Sequence, residues 1–314
     1  MQILVSGGDG FIGRHLCQRL LDRGDSVHVV DNHITSQPEI IHPLLTRSEI
    51  DVAESVMLPE DFQPDAFVHL ASVAIPSMYM DSPELVIRPN VVGTQTLCEA
   101  AHKLDSRVLF ASTSEVYGAV IDAKPFGTQI DEFSPSRHGL LNPRSSYATA
   151  KRMGEEIVRS FRLKGMNTCC LRLFNVVGPG MDVSSRGYGR VIPNFVKALN
   201  RREPLPIFGE GEQSRSFLWI DDAVEAIIRL IDFPNTMPEC INIGHDEQVT
   251  VMQLANRLIS ISKIDPGLIH MDSMPDEPVH RRPNIEFARE LLGWSPTVNL
   301  DEILHRIVSV EIDE

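Results

Sequence analysis

Short apolar runs alternate with longer stretches whose apolar residues recur at spacings of three and four. The short runs predict strands at Ile3 to Val5, Ser26 to Val30, Ala66 to Leu70, Arg107 to Ala111 and Thr168 to Leu173. Between them, Phe11 to Leu21, Val91 to His102 and Tyr147 to Leu163 carry the period of amphipathic crossover helices. Strand and helix in alternation predict an α/β fold, a doubly wound parallel sheet covered on both faces. After Asn175 the texture changes: Gly178, Pro179, Gly180, Gly187, Gly189, Pro204, Pro206, Gly209 and Gly211 mark loops. A helix from Asp221 to Ile231 and a strand from Cys240 to Ile243 then predict a return to the sheet, before a loop-rich stretch from Pro266 to Pro283. The expected division is a first domain over 1–174, to which 214–243 partly returns. A smaller, loop-rich α/β lobe is expected from 175–213 and 244–314.

Charge narrows the partners. A formal charge of -14 leaves little for a nucleic acid or an anionic membrane to bind, so any anionic ligand must meet locally placed arginines. The chain enters a strand at once, without a signal-like segment, and holds no apolar run of bilayer length, so a cytoplasmic protein is expected. Cys17, Cys98, Cys169, Cys170 and Cys240 are too scattered for a disulfide framework or a zinc site, and the eleven histidines form no spaced metal-binding pair. No metal is expected.

Gly7, Gly10 and Gly13 form a glycine triplet at spacing three and three between the first strand and the first helix. Alone it is an ordinary turn signal. Here a second strand follows and ends in Asp31, where a carboxylate can accept hydrogen bonds from an adenosine ribose, which makes the run a dinucleotide fingerprint of the Rossmann type. Asp31 would repel a ribose 2'-phosphate, favouring NAD. Tyr147 and Lys151 lie four apart and share a helix face. Such a pair is commonly a surface feature. Beside a bound nicotinamide, however, an ammonium favours phenolate and makes Tyr147 a base for a substrate hydroxyl. Thr113 closes a strand in the run STSEVYG, where it either satisfies local backbone or orients that substrate oxygen.

These residues carry a resemblance. SGGDGFIG, VVDN, HLAS, STSEVYG, SYATAK, RLFNVVGPG and ARELLGWSP together make nearly the whole chain similar to the extended short-chain dehydrogenase/reductases that modify nucleotide sugars. The resemblance implies NAD contacts by Gly7, Gly10, Phe11, Ile12, Asp31, Asn32, Asp51, Val52, Leu70, Ala71, Tyr147 and Lys151. It implies action of Thr113 and Tyr147 on the substrate, a place for Asn175 and Arg215 at its diphosphate side, and a homodimer joined through the helices near Val91 to His102 and Tyr147 to Leu163.

Within that family, Thr113, Ser114 and Glu115 resemble the UDP-glucuronate decarboxylases, a triplet shared with GDP-mannose dehydratases. Pro76, Tyr79 and Pro83 in PSMYMDSP, and Arg281 in HRRPNI, resemble the decarboxylating subgroup further. The implied chemistry is decarboxylation of UDP-glucuronate through a 4-ketone, with Glu115 positioning sugar or water, Ser114 and Tyr79 beside the substrate, and Arg281 engaging its acid. GPGM at Gly178 and NHITSQPEI after Asp31 depart from that subgroup. A UDP-glucuronate 4-epimerase, a 4,6-dehydratase through Glu115 and an NAD-binding regulatory protein stay open. So do simpler readings of Arg281 and Arg282 as a solvated basic pair and of Tyr79 as packing.

Overall fold

The computed structural model describes residues 1–118, 127–134, 145–181, 190–273 and 279–312. Strands β1 (Gln2–Ser6), β2 (Ser26–Asp31), β3 (Leu45–Glu49), β4 (Ala66–His69), β5 (Arg107–Thr113) and β6 (Thr168–Leu173) join the strand Cys240–Ile243 in one parallel sheet. Its order is Cys240–Ile243, β6, β5, β4, β1, β2, β3. The chain order reverses beside β1, the topological switch point at which such sheets bind ligands outside their carboxyl ends. Residues on β1, β2, β4 and β5 are almost wholly buried, because a parallel sheet is covered on both faces.

β3 was not expected from the pattern. Its residues, Leu-Thr-Arg-Ser-Glu, are partly exposed at the sheet edge, so burial never selected the apolar run that marks an inner strand. The helix expected over Val91 to His102 also differs: a π-helical turn, Pro89–Gly93, precedes an α-helix over Thr94–Lys103. Proline at the head of that turn has no amide to continue the ladder of the helix Glu84–Arg88.

The chain divides into two units. The first comprises Met1–Val116, Pro143–Leu173 and Val224–Ile241, and the second Tyr117–Asn142, Phe174–Ala223 and Asn242–Glu314. In the first, helix α1 (Phe11–Asp22) buries Leu16, Cys17, Leu20 and Leu21, while the helix Ser145–Arg162 buries Ala148, Ala150, Lys151, Gly154, Val158 and Phe161. Burying a side chain such as Phe161 or Val158 contributes about 1.5–3 kcal/mol, and the helix presents a face of such residues to the sheet.

The second unit holds more regular structure than its glycines and prolines suggested. Helices cover Val191–Asn200, Val251–Ser262, Glu286–Leu292 and Leu300–Glu311. Two of these starts are legible as side-chain caps: Thr250 and Gln253 form a reciprocal capping box, and Asn299 accepts the amide of Glu302. The stretch expected to be loop contains the strand Leu268–Met271, which pairs in parallel with Leu205–Phe208. Asp222 organises the carboxyl-terminal part, accepting from the Thr297 amide at 3.0 Å, the Thr297 hydroxyl at 2.7 Å and the Val298 amide at 3.2 Å. Its carbonyl takes the indole N–H of buried Trp294.

Candidate functional site

In the first unit the glycine-rich turn lies against the HLAS segment. Gly7 has φ +73, and a Cβ there would stand 2.6 Å from the amide nitrogen of Ala71 and 2.8 Å from the carbonyl carbon of Leu70. A Cβ on Gly13 would meet the Gly7 carbonyl at 2.1 Å. Only glycine fits either place. No side chain caps α1, whose N-cap is Gly10, so Phe11 and Ile12 begin a twelve-residue helix with its amide end open to an anion. Asp31, 8% exposed, accepts the Asp9 amide through Oδ2, and the His33 amide and Ser36 hydroxyl through Oδ1. Three bonds leave such a carboxylate room for a ribose hydroxyl.

Farther along the sheet edge, Asp51 accepts the Ala53 amide at 2.8 Å and pairs with Arg88 at 3.0 Å, and Val52 is buried beside it. Asn32 is exposed and caps the following turn by accepting the Ile34 amide. This unit therefore fits a dinucleotide: a cradle that admits no Cβ, an uncapped helix start and an acid at the end of β2. The structure thus brings Gly7, Gly10, Phe11, Ile12, Asp31, Leu70 and Ala71 around one turn, with Asp51 and Val52 after β3.

Tyr147 and Lys151 lie in the first two turns of the helix Ser145–Arg162, the ammonium 6.0 Å from the phenol ring centroid. Lys151 is 2% exposed, donates to the Ala111 carbonyl at 2.6 Å and sits 4.9 Å from the Phe110 ring centroid. Burial pushes its proton affinity down to about 7, against the opposing charge of Glu155. Tyr79, 2% exposed on the short helix Pro76–Asp81, stacks on Tyr147 with centroids 5.4 Å apart and planes 14° from parallel. It packs, as one reading expected, and what it packs against is the candidate base. His69, buried at the end of β4, is pushed down to about 3 by burial and then by Lys151. The neutral ring donates from Nε2 to the Pro89 carbonyl and accepts the Ser6 hydroxyl at Nδ1.

Each hydroxyl in the strand-ending run has a definite place. Ser112 donates to Glu155 Oε1 at 2.5 Å, Thr113 accepts the Glu115 amide at 3.3 Å, and Ser114 is buried at the start of a single helical turn, Ser114–Tyr117. Glu115, on that turn, is half-buried. Sequence reading missed Glu155, which lies one turn beyond Lys151 and is also held by Arg172 through Nε at 2.9 Å and Nη2 at 2.8 Å. Its i+4 spacing from Lys151 was the available signal.

In the second unit, Arg215 donates to the Ser214 carbonyl at 2.7 Å, and the backbone amide of Arg281 reaches the same carbonyl at 3.3 Å. The structure thereby brings two predicted arginines together. Arg281 is 6% exposed, and Arg282 ties the Asp246 and Gly127 carbonyls at 2.7 Å and 3.0 Å, so the two are not a solvated pair. Asn175 takes φ 36, the left-handed region that asparagine tolerates better than most residues, and its amide donates to the Ser216 carbonyl at 2.8 Å. Tyr117 closes STSEVY with a 2.7 Å bond to Asn242, which also donates to the Ile130 carbonyl. Among the described residues no cluster of three His, Cys, Asp or Glu could hold a metal ion.

Residues 3–244 match the model of the NAD dependent epimerase/dehydratase family. The chain is 35% identical over 316 residues to UDP-glucuronic acid decarboxylase 2 of Arabidopsis thaliana, covering 98% of this chain and 67% of that one. Among solved structures it resembles a UDP-glucose 4-epimerase of Thermotoga maritima with UDP-glucose, at TM-score 0.86 and 28% identity, covering 99% of this chain and 98% of the other. It also resembles a UDP-glucuronic acid 4-epimerase of Bacillus cereus in complex with UDP-glucuronic acid and NAD, at TM-score 0.84 and 26% identity, with the same coverage. With the open helix start, the acid closing β2 and the Tyr147–Lys151 face all present, the chain belongs to the NAD dependent epimerase/dehydratase family of nucleotide-sugar enzymes.

Proposed function

We propose that the protein decarboxylates UDP-glucuronate to UDP-xylose, or to the corresponding 4-keto pentose. The observation that carries this is Tyr147 set one turn from a buried Lys151, in a chain whose likeness to UDP-glucuronic acid decarboxylases runs almost end to end.

NAD, when bound, supplies the acceptor and later the donor of a hydride at sugar carbon 4. Tyr147 takes the proton of the 4-hydroxyl, its phenolate favoured by the Lys151 ammonium. Thr113 hydrogen-bonds the same oxygen. The resulting 4-ketone is β to the carboxylate on carbon 5. The bond from carbon 5 to the carboxylate then breaks, its electron pair passes into the ketone as an enolate, and carbon dioxide leaves. Glu115 positions the ring or the water that reprotonates carbon 5, with Ser114 and Tyr79 beside it. Arg281 engages the acid as a fixed cation, since a guanidinium does not give up its proton in proteins. Asn175 and Arg215 hold the diphosphate side of the substrate.

Incubation with NAD and UDP-glucuronate, UDP-glucose or UDP-N-acetylglucosamine, followed by mass and NMR analysis of products, tests this. Loss of carbon dioxide from UDP-glucuronate supports it. An inverted carbon 4 at unchanged mass would establish the epimerase reading, loss of water the dehydratase, and binding without turnover a regulatory role.

The protein is further proposed to act as a cytosolic homodimer. Supporting this, Ile87, Val92 and Met153 are 44%, 44% and 50% exposed on and beside the helices for which the resemblance implied a partner, and the cysteines are free thiols. A mass of one chain by light scattering at micromolar concentration would remove the dimer.

A further inference from the structure

Asp9 stands immediately before Gly10, the N-cap of α1. A carboxylate at that place competes with a ligand, because its natural partners are the helix-start amides that an anion would use. Here it is turned elsewhere. Arg47, on β3, grips it with Nε at 3.2 Å and 3.1 Å from the two oxygens and Nη2 at 3.0 Å from Oδ1. The same Nη2 donates to the Ile40 carbonyl at 2.8 Å, and His33 Nε2 lies 3.1 Å from Asp9 Oδ2. Arg14 of α1 adds a pair with Glu39, so residues between β2 and β3 are stitched to the glycine-rich turn from both sides.

Charge sharpens the point. The Asp9 side chain is 2% exposed, and its own amide donates to Asp31, 8% exposed. Two buried carboxylates therefore adjoin a turn shaped for a diphosphate, and Arg47 is the guanidinium bound to the nearer of them. An unpaired carboxylate there would repel the cofactor and would be free to cap α1 itself.

We propose that Arg47 is a positioning residue for NAD: it draws the Asp9 carboxylate away from the amide end of α1 and cancels its charge, leaving the helix start to the cofactor's diphosphate. The inference rests on NAD binding at the glycine-rich turn and on no particular sugar chemistry.

Calorimetric titration with NAD, and with ADP-ribose to isolate the diphosphate half, tests it on wild type, Arg47→Met, Asp9→Ala and the double variant. Arg47→Met is expected to weaken both ligands about tenfold or more, whereas Asp9→Ala and the double variant stay within about threefold of wild type. Arg47→Gln, which keeps a donor but removes the charge, serves as second variant should the methionine fail to fold, and the same pattern is expected of it. Wild-type affinity in both Arg47 variants would overturn the proposal, as would a double variant as weak as Arg47→Met. Wild-type protein that bound neither ligand would remove the premise as well.

Discussion

The phenol of Tyr79 lies parallel to that of Tyr147, centroids 5.4 Å apart, so the candidate base is held by a second ring as well as by its own helix. Such a pair contributes about 0.5–1.5 kcal/mol beyond its buried area, enough to change a rate about tenfold if it fixes a reactive geometry. Tyr79→Ala is therefore expected to lower kcat about tenfold and Tyr79→Phe much less, with NAD affinity unchanged in both. Equal losses in the two variants, measured by steady-state kinetics, would mean that the hydroxyl and not the ring matters.

Tyr147→Phe is expected to lower turnover by at least about a hundredfold while sparing NAD affinity, because general-base catalysis contributes roughly 10²–10⁴. Retained turnover in a product assay would rule out the phenol as base.

The charge of Lys151 is opposed by burial and supported by Glu155, while Cys170, the neutral His69 and the Ala111 carbonyl also face it. Glu155→Gln removes a negative charge and so lowers the proton affinity of the amine below about 7. The high-pH limb of kcat/KM, where the ammonium is lost, is then expected to move to lower pH. The chain has six lysines, few enough that the Cε signal of Lys151 can be followed directly by NMR as pH is raised. An unshifted midpoint would leave Glu155 a purely structural role beside Arg172.

Below about pH 7 the buried amine is charged in folded and unfolded chains alike, and burial destabilises the fold in full. Between about 7 and its ordinary value of 10.5 only the unfolded chain holds the proton, so this cost shrinks as pH rises. Without NAD, the stability advantage of Lys151→Met over wild type is expected to be largest at pH 6 and to diminish toward pH 10, as read from urea unfolding. A constant difference across that range would contradict the burial effect.

Arg281 and Arg282 are expected to separate. Arg281→Met should lower kcat/KM for UDP-glucuronate by about a hundredfold, since one charge-assisted contact contributes about 1.5–3 kcal/mol. Arg282→Met strands the Asp246 and Gly127 carbonyls and should instead lower the unfolding midpoint. Kinetics and denaturation on both variants check this, and a reversed pattern would exchange their roles.

Periodicity determined the inner strands of the sheet and the amphipathic character of its helices, because inner strands and amphipathic helices are selected for burial and leave a regular apolar pattern. The glycine triplet, Asp31 and the Tyr147–Lys151 spacing were legible for a related reason: backbone approach and helix pitch impose fixed intervals on nearby residues. β3 was not legible, since an edge strand need not be apolar. The grip of Arg47 on Asp9 joins residues 38 apart, and that of Tyr79 on Tyr147 residues 68 apart. Arg281 was separated from its solvated neighbour reading only by burial and by the two carbonyls that claim Arg282. Contacts of this kind carry no period along the chain. They arise when distant segments are packed together, and tertiary structure alone decided them.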